Sequence, residues 1–380
     1  MTGNDDISDD IDALITQLNA STSGGKGVDG VLRIKSLLEH VVEHRGSDLL
    51  LVANSPPAMR VDGGIIRLPG AVLGGYDIEE AVVPLLPLHA KRQYESSGVA
   101  DASLRLQTLG RFRVNLHRER GQAAAAIRVL PRQVPKLSEL FLPSEVEALS
   151  TLTRGLVIVG GATGAGKTTT LAALVDEINR RYARHIITVE DPIEYEHVHG
   201  SSVVEQVEIG ADAADFPAAL RAAVRQAPDV LVIGEMRDPE SMRIALSAAE
   251  TGHLVLSSLH TTDIASAIAR VCDSFPNERQ NTIRQELSLA LTAVMTQTLV
   301  PRTSGGRIPA VELLVLGYGA RQHVRRNALQ HLHQEMSLTR RQGSITLEDS
   351  LARLVKAGQI TRAEAVARAA HPDELESILT

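Results

Sequence analysis

The chain after Arg154 alternates short apolar runs with stretches that have helical periodicity. The apolar runs are GLVIVG, HIITVE, DVLVIGE and HLVLSSLH. Runs that are apolar on both faces and separated by helices are typical of a parallel sheet covered on each side. We therefore predict an α/β domain here, followed by a small helical bundle in which Thr346 and Thr361 cap helices.

The chain before Arg154 has a different pattern, which predicts a smaller α+β domain. Apolar residues recur at helical spacing from Val31 to Val41, and strand-like runs follow. Asp62-Gly63 suits the turn of a hairpin. Residues 1–28 are acidic, then rich in serine and glycine, which predicts a flexible tail. The predicted organisation is a tail at 1–28, an α+β domain at 29–130, a linker at 131–145, an α/β domain with its helical bundle at 146–372, and a tail at 373–380.

A second hairpin is predicted in RFRVNLHRERGQAAAAIRV, where apolar and polar residues alternate. A turn at Arg120-Gly121 would place Arg113 directly opposite Arg128 on one face of the sheet. Like charges in that arrangement repel each other. The two arginines are therefore either solvated or directed at an anion, and the pattern leaves both interpretations open.

The segment GGATGAGKTTT lies where the first apolar run after Arg154 passes into a helix-like stretch. It fits the phosphate-binding pattern G-x-x-x-x-G-K-[ST], whose glycines let backbone N–H groups converge on phosphate oxygens at a helix N-terminus. We expect Lys167 to reach the β- and γ-phosphates and the Thr168 hydroxyl to ligate Mg²⁺. The predicted nucleotide cradle comprises Gly161, Ala162, Thr163, Gly164, Ala165, Gly166, Lys167, Thr168 and Thr169.

Two further segments place carboxylates after predicted strands, where ligands bind in open α/β sheets. ITVEDPIEYEH supplies Glu190, Asp191 and Glu194, which could orient an attacking water as a base. DVLVIGE has the form of a strand that ends in acid, with Gly234 in the first acidic place and Glu235 in the second. We expect Glu235 to act on Mg²⁺ through water.

Two histidines bracket the last apolar run. In AETGHLVLSSLHTTD, His253 opens the run and His260 closes it. A lone histidine is usually a satisfied structural group. Two histidines around a strand that directly follows the acid-terminated strand favour contact with a γ-phosphate or a place at a subunit interface.

Taken together, four motifs resemble those of the secretion ATPases, the hexameric motors of type II secretion and type IV pili. GATGAGKTTT, TVEDPIEYEH, LVIGEMRD and AETGHLVLSSLHTTD are similar to their Walker A, Asp, Walker B and His boxes. Within that superfamily the chain most resembles the PilT branch, the pilus retraction ATPases, over about residues 30–372. The resemblance implies a PAS-like α+β domain followed by a RecA-like α/β ATPase domain.

The resemblance also implies a role for each candidate residue. Glu194 would polarise the attacking water, and Glu235 would be the Walker B acid. The arginines of the second hairpin match arginines that the first domain presents to the nucleotide. The implied set comprises Glu194, Glu235 and His260 in catalysis, Lys167, Arg113, Arg128 and His253 in ATP binding, and Thr168 and Glu235 at Mg²⁺.

Partners follow from the same resemblance. It implies a cytoplasmic homo-hexamer, held at the inner face of the membrane by an inner-membrane pilus platform protein, with paralogous pilus ATPases as further partners. Two positions depart from the branch: Leu50 replaces a frequent histidine, and Arg326, in GARQHVRRN, replaces an acid. Because that stretch serves retraction in the branch, a divergent PilT and a PilU-like accessory motor both fit.

Composition bears on the alternatives. A net charge of -7 and only 2% aromatic residues disfavour a nucleic-acid motor, and no apolar run is long enough for membrane insertion. A single cysteine, Cys272, argues against assembly and secretion ATPases with a four-cysteine metal insertion; we expect it to be a small buried residue. Glu194 and Glu235 argue against a regulator without hydrolysis. The stretch that keeps the nucleic-acid alternative open consists of Arg321, Arg325, Arg326, Arg340 and Arg341.

Overall fold

The chain divides after Arg132 into two compact units. The computed structural model describes residues 26–380, with side chains described from Gly30 onward. The predicted tail at 1–28 therefore lies outside the described residues, apart from its last three, which begin the first helix.

The first unit is a six-stranded antiparallel sheet with helices, in the strand order β3-β2-β1-β6-β5-β4. Its core contains the apolar face of α1, including Ile34 and Leu38, together with Phe112 and Leu116 of the sheet. The elements are α1 (Lys26–Glu43), β1 (Asp48–Leu51), β2 (Ala58–Val61), β3 (Gly64–Arg67), α2 (Gly75–Val82), α3 (Leu88–Ser97), β4 (Ala100–Leu106), β5 (Gly110–Glu119) and β6 (Gln122–Val129).

Both predicted hairpins are confirmed. Val61 pairs with Gly64 around Asp62-Gly63, and both turn residues have positive φ, which glycine and aspartate tolerate. In the second hairpin Glu119 pairs with Gln122, so that Arg113 lies opposite Arg128 as the alternation predicted.

The second unit contains a seven-stranded sheet in the order β13-β12-β7-β11-β10-β8-β9, parallel except for β13. Its strands are β7 (Gly155–Gly160), β8 (His185–Glu190), β9 (Val203–Glu208), β10 (Val230–Ile233), β11 (Leu254–Leu259), β12 (Leu291–Pro301) and β13 (Arg307–Val315). Its helices are α4 (Ser144–Glu147), α5 (Lys167–Arg181), α6 (Phe216–Ala223), α7 (Pro239–Glu250), α8 (Ile264–Asp273), α9 (Asn277–Ala290), α10 (Tyr318–Arg325), α11 (Leu332–Leu338), α12 (Leu347–Lys356), α13 (Arg362–Val366) and α14 (Pro372–Leu379).

The central strands are buried on both faces, which explains their continuous apolar runs and confirms the predicted α/β class. All residues of β7, β10 and β11 are buried. Along β7, Leu156 and Ile158 pack into one hydrophobic cluster, while Val157 and Val159 pack into another. Successive side chains of a strand point to opposite faces, so each strand contributes to two cores. Cys272 is buried as predicted, and burial raises the pKa of its thiol to about 11.

Two parts of the second unit differ from the predicted pattern. Polar residues interrupt the sequences of β12 and β13, so neither reads as a continuous apolar run. The predicted tail at 373–380 instead forms most of α14, whose Leu375 is fully buried. The predicted caps are confirmed, because Thr346 and Thr361 each accept a hydrogen bond from the backbone N–H three residues on. Across residues 26–380, the helices lack the length and apolar character needed to cross a bilayer.

Candidate active site

The predicted cradle is the loop between the end of β7 and the start of α5. Three of its glycines, Gly161, Gly164 and Gly166, have positive φ, a conformation that other residues rarely adopt. A Cβ at Gly161 would lie 2.6 Å from the carbonyl oxygen of Gln297, and a Cβ at Gly166 would lie 2.8 Å from Nε2 of that side chain. Glycine is therefore required here both by backbone conformation and by close packing.

Lys167 begins α5 and its side chain folds back under the loop. Its Nζ donates to the carbonyl oxygens of Gly161, at 2.9 Å, and Ala162, at 3.1 Å. Burial lowers the pKa of Lys167, and the nearby Glu235 and Glu194 carboxylates offset only part of this effect. The ammonium group is thus held at the loop and within electrostatic reach of both predicted catalytic acids.

The order of the strands brings the remaining candidates to this loop. β7, β11, β10 and β8 are neighbours and run parallel, so their carboxyl ends meet at one edge of the sheet. The cradle loop, which we also call the P-loop, follows β7. His260 follows β11, Glu235 follows β10 and Glu194 follows β8.

His260 contacts three members of this group. Its Nδ1 lies 3.5 Å from the Thr163 hydroxyl and 3.4 Å from Nζ of Lys167, and its Nε2 lies 3.4 Å from Oε2 of Glu235. Half of the His260 side chain is exposed. The imidazole therefore connects the P-loop to the Walker B acid while one side remains accessible to a ligand.

The two carboxylate oxygens of Glu235 have different surroundings. One carboxylate oxygen forms an ion pair with Arg237, while Oε2 is buried and accepts no hydrogen bond from the described residues. Asp238, which follows Arg237, instead caps α7 through the backbone N–H of Ser241. A buried carboxylate oxygen near Lys167, at the start of α5, suits Mg²⁺, which prefers oxygen ligands and retains bound water.

Glu190 and Glu194 have different environments. Glu190 accepts hydrogen bonds from the Thr188 hydroxyl, at 2.7 Å, and from Nε2 of Gln206, at 3.2 Å. Burial raises the pKa of Glu190, and the backbone N–H of Glu194 also donates to it. Glu190 therefore fixes the loop that carries Glu194. Glu194 itself is half-buried and lies near Lys167, and Asp191 is exposed.

His253 lies at the other edge of the sheet. It precedes β11, and its Nδ1 is 2.9 Å from the carbonyl oxygen of Ala248. Since β11 has six residues, about 20 Å separate His253 from His260. His253 therefore lies too far from the cradle of its own subunit to contact a nucleotide there, contrary to its implied place in ATP binding, while its alternative place at a subunit interface stays a prediction.

The two hairpin arginines belong to the first unit, and the residues gathered around Lys167 belong to the second. Nε of Arg128 lies 2.9 Å from Oδ1 of Asp48, and Nε of Arg113 lies 3.6 Å from Oδ1 of Asp101. Acidic partners in the same sheet thus offset the repulsion between the two arginines. Both guanidinium groups remain partly exposed and can contact a further anion.

Gln297, on β12, is a site residue that the sequence motifs missed. Its buried amide donates to the carbonyl oxygen of Ala165, at 2.7 Å, and accepts from the Thr170 hydroxyl, at 2.8 Å. It therefore fastens the end of the cradle loop and the first turn of α5 to the sheet. The only sequence signal was a glutamine in the middle of a largely apolar segment.

The comparisons with known proteins agree with this geometry. The Type II/IV secretion system protein family matches residues 103–342. The type IV pilus retractation ATPase PilT of Pseudomonas aeruginosa is 37% identical, over 90% of this chain and 99% of its own. The type IV pilus ATPase PilU of the same organism is 36% identical, over 92% and 91%.

Solved structures give the same result. The pilus retraction motor PilT with bound ADP superimposes with a TM-score of 0.83 at 39% identity, covering 90% of this chain and 98% of that one. The Legionella pneumophila ATPase DotB has a TM-score of 0.76 at 26% identity, over 88% and 94%. The chain therefore belongs to the Type II/IV secretion system protein family, as an ATPase of the branch that contains PilT and PilU.

Proposed function

We propose that this chain forms a hexameric motor that hydrolyses ATP to drive retraction of type IV pili. The observation that carries the proposal is the convergence of Lys167, Glu194, Glu235 and His260 at one sheet edge, in a chain that matches a pilus retraction ATPase along nearly its whole length. The motor would act in the cytoplasm on an inner-membrane pilus platform protein, alone or beside paralogous pilus ATPases.

In this proposal the ATP phosphates bind the backbone N–H groups of the cradle and the N-terminus of α5. Lys167 exchanges its bonds with the Gly161 and Ala162 carbonyls for bonds with phosphate oxygens. Thr168, and Glu235 through water, would hold Mg²⁺, which would supply charge neutralisation at the phosphates. Glu194 orients the attacking water and accepts its proton, and His260 detects the γ-phosphate at the end of β11.

Arg113 and Arg128 are proposed to contact the nucleotide from the first unit, as arginine fingers do. Their cationic groups would stabilise the negative charge that develops on the γ-phosphate. Hydrolysis would then change the relation between the two units, with the part of the linker near Pro131 to Pro135 as the proposed hinge. His253 is left with a proposed role at the interface between subunits.

Replacing the proposed water-orienting group tests the assignment of roles. Glu194→Gln should bind ATP as the wild type does, because the cradle and Lys167 are unchanged. Its turnover should fall by roughly 10²- to 10⁴-fold, the usual contribution of a general base. Steady-state phosphate release, together with calorimetric binding of a non-hydrolysable ATP analogue, measures both quantities.

Glu196→Gln is the matched control, because it neutralises an exposed carboxylate two residues further along the same loop. Its turnover should equal that of the wild type. Wild-type turnover in Glu194→Gln would remove Glu194 from its role.

The same assay tests the arginine proposal. Arg113→Ala is the cleaner variant, because its partner Asp101 is exposed whereas Arg128 pairs with the buried Asp48. Its turnover should fall by about 10³-fold if it acts as other arginine fingers do. Arg67→Ala, in exposed β3, should have no effect, and equal turnover in the two variants would refute the proposal.

Deletion of the gene in the native host tests retraction against its alternatives. Without a retraction motor, surface fibres should persist, and cells should no longer shorten them in live imaging of labelled pili. A copy encoding Glu194→Gln should fail to restore retraction, while Glu196→Gln should restore it. Loss of the fibres themselves would instead identify an assembly ATPase.

A further inference from the structure

The C-terminal helices have a small hydrophobic core of their own. It joins α12, α13 and α14 to the distal ends of β12 and β13. The buried members of this core are Val300, Ile308, Ala310, Leu351, Ala352, Ile360, Ala365 and Leu375.

Three metal-ligating side chains meet among these helices. They are His333 of α11, Glu348 of α12 and Glu374 of α14, and one ligand atom from each lies within 4.8 Å of the others. Nε2 of His333 is 2.7 Å from Oε2 of Glu374. Since a zinc ion lies about 2.0–2.2 Å from each nitrogen or oxygen ligand, small side-chain rotations are enough to admit one.

Glu348 gives a second, independent indication of a cation. The residue is only 1% exposed, and its Oε1 accepts from the backbone N–H of His371 at 2.8 Å. Its Oε2 is buried and has no hydrogen-bond partner among the described residues. Burying an ionised carboxylate oxygen without a partner is costly, and a nearby cation removes that cost.

The neighbouring arginine does not supply this charge. Arg340 donates to Oε1 of Glu374, at 3.1 Å, and to Oδ2 of Asp349, at 2.6 Å. Arg340 therefore neutralises Oε1 of Glu374 and the carboxylate of Asp349, and not the Glu374 oxygen that faces His333. Oε2 of Glu374 remains beside Nε2 of His333, and a carboxylate oxygen of Glu348 lies within 4.8 Å of both groups.

We propose that His333, Glu348 and Glu374 bind a divalent transition-metal ion, with Zn²⁺ as the best fit. One imidazole and two carboxylates suit zinc, whereas Mg²⁺ and Ca²⁺ prefer oxygen ligands throughout. The ion takes the place of the proton between His333 and Glu374. Because the three ligands come from separate helices, the bound ion fastens α11 and α14 to α12.

A second group of residues must be removed before this site can be measured. His40 and Glu43 lie in the last turn of α1, His44 directly follows it, and the three could also hold an ion. His40 and His44 are four residues apart at the end of a single helix, so they would bind metal without cross-linking separate elements. We therefore take His40→Ala/His44→Ala as the parent protein, prepared as the full chain without an affinity tag.

The experiment titrates the parent protein with Co²⁺, followed by visible absorption, and then displaces Co²⁺ with Zn²⁺. We expect one Zn²⁺ per subunit and a higher unfolding temperature with the ion bound. Glu348→Gln should lower the affinity by about tenfold or more, since ligand-shell changes commonly have at least that effect. Glu335→Gln, which neutralises a carboxylate beside a different histidine, His323, should bind as the parent does.

Two outcomes would overturn the proposal. One is the absence of saturable Co²⁺ or Zn²⁺ binding by the parent, which would mean that a proton rather than a metal joins His333 to Glu374. The other is equal affinity in the parent and Glu348→Gln. Circular dichroism checks the fold of each variant, and His333→Gln, at the half-buried ligand, provides the same comparison if Glu348→Gln does not fold.

Discussion

The site depends on one constraint, the parallel pairing of β7, β11, β10 and β8. Parallel strands place all their carboxyl ends at one edge, so residues separated by about a hundred positions along the chain become neighbours. Lys167 follows the first of these strands and His260 the second, and they lie 3.4 Å apart. Antiparallel pairing anywhere among the four would carry at least one of these groups to the opposite edge.

The charges at this edge are arranged before a nucleotide arrives. Lys167 is held by carbonyl oxygens of its own loop, Gln297 fastens that loop to β12, and Oε2 of Glu235 is buried without a hydrogen bond. Such groups have already lost most of their solvation, so they need little reorganisation when phosphate binds. The same reasoning applies at Glu348, where a buried carboxylate oxygen also lacks a partner. In both places we propose that a cation would meet the buried oxygen.

The sequence predicted those features that follow from local pattern. Continuous apolar runs identified β7, β8, β10 and β11 because both faces of these strands are buried, and the glycine pattern predicted the loop between β7 and α5, whose glycines have positive φ. Gln297 was missed because its contact with Ala165 spans 132 positions, which no local pattern records. His253 was misplaced because bracketing a strand does not tell which end faces the ligand. β12 and α14 were missed because polar residues interrupt their apolar patterns.

Binding of a non-hydrolysable ATP analogue with Mg²⁺ to Lys167→Ala tests the central claim most directly. Isothermal titration calorimetry should show a loss of affinity on the order of 100-fold or more, since hydrogen bonds to charged groups contribute about 1.5–3 kcal/mol each. Lys91→Ala, which removes a lysine from α3 in the first unit, should bind as the wild type does. Undiminished affinity in Lys167→Ala would contradict the account, because the triphosphate would then be held somewhere other than this cradle.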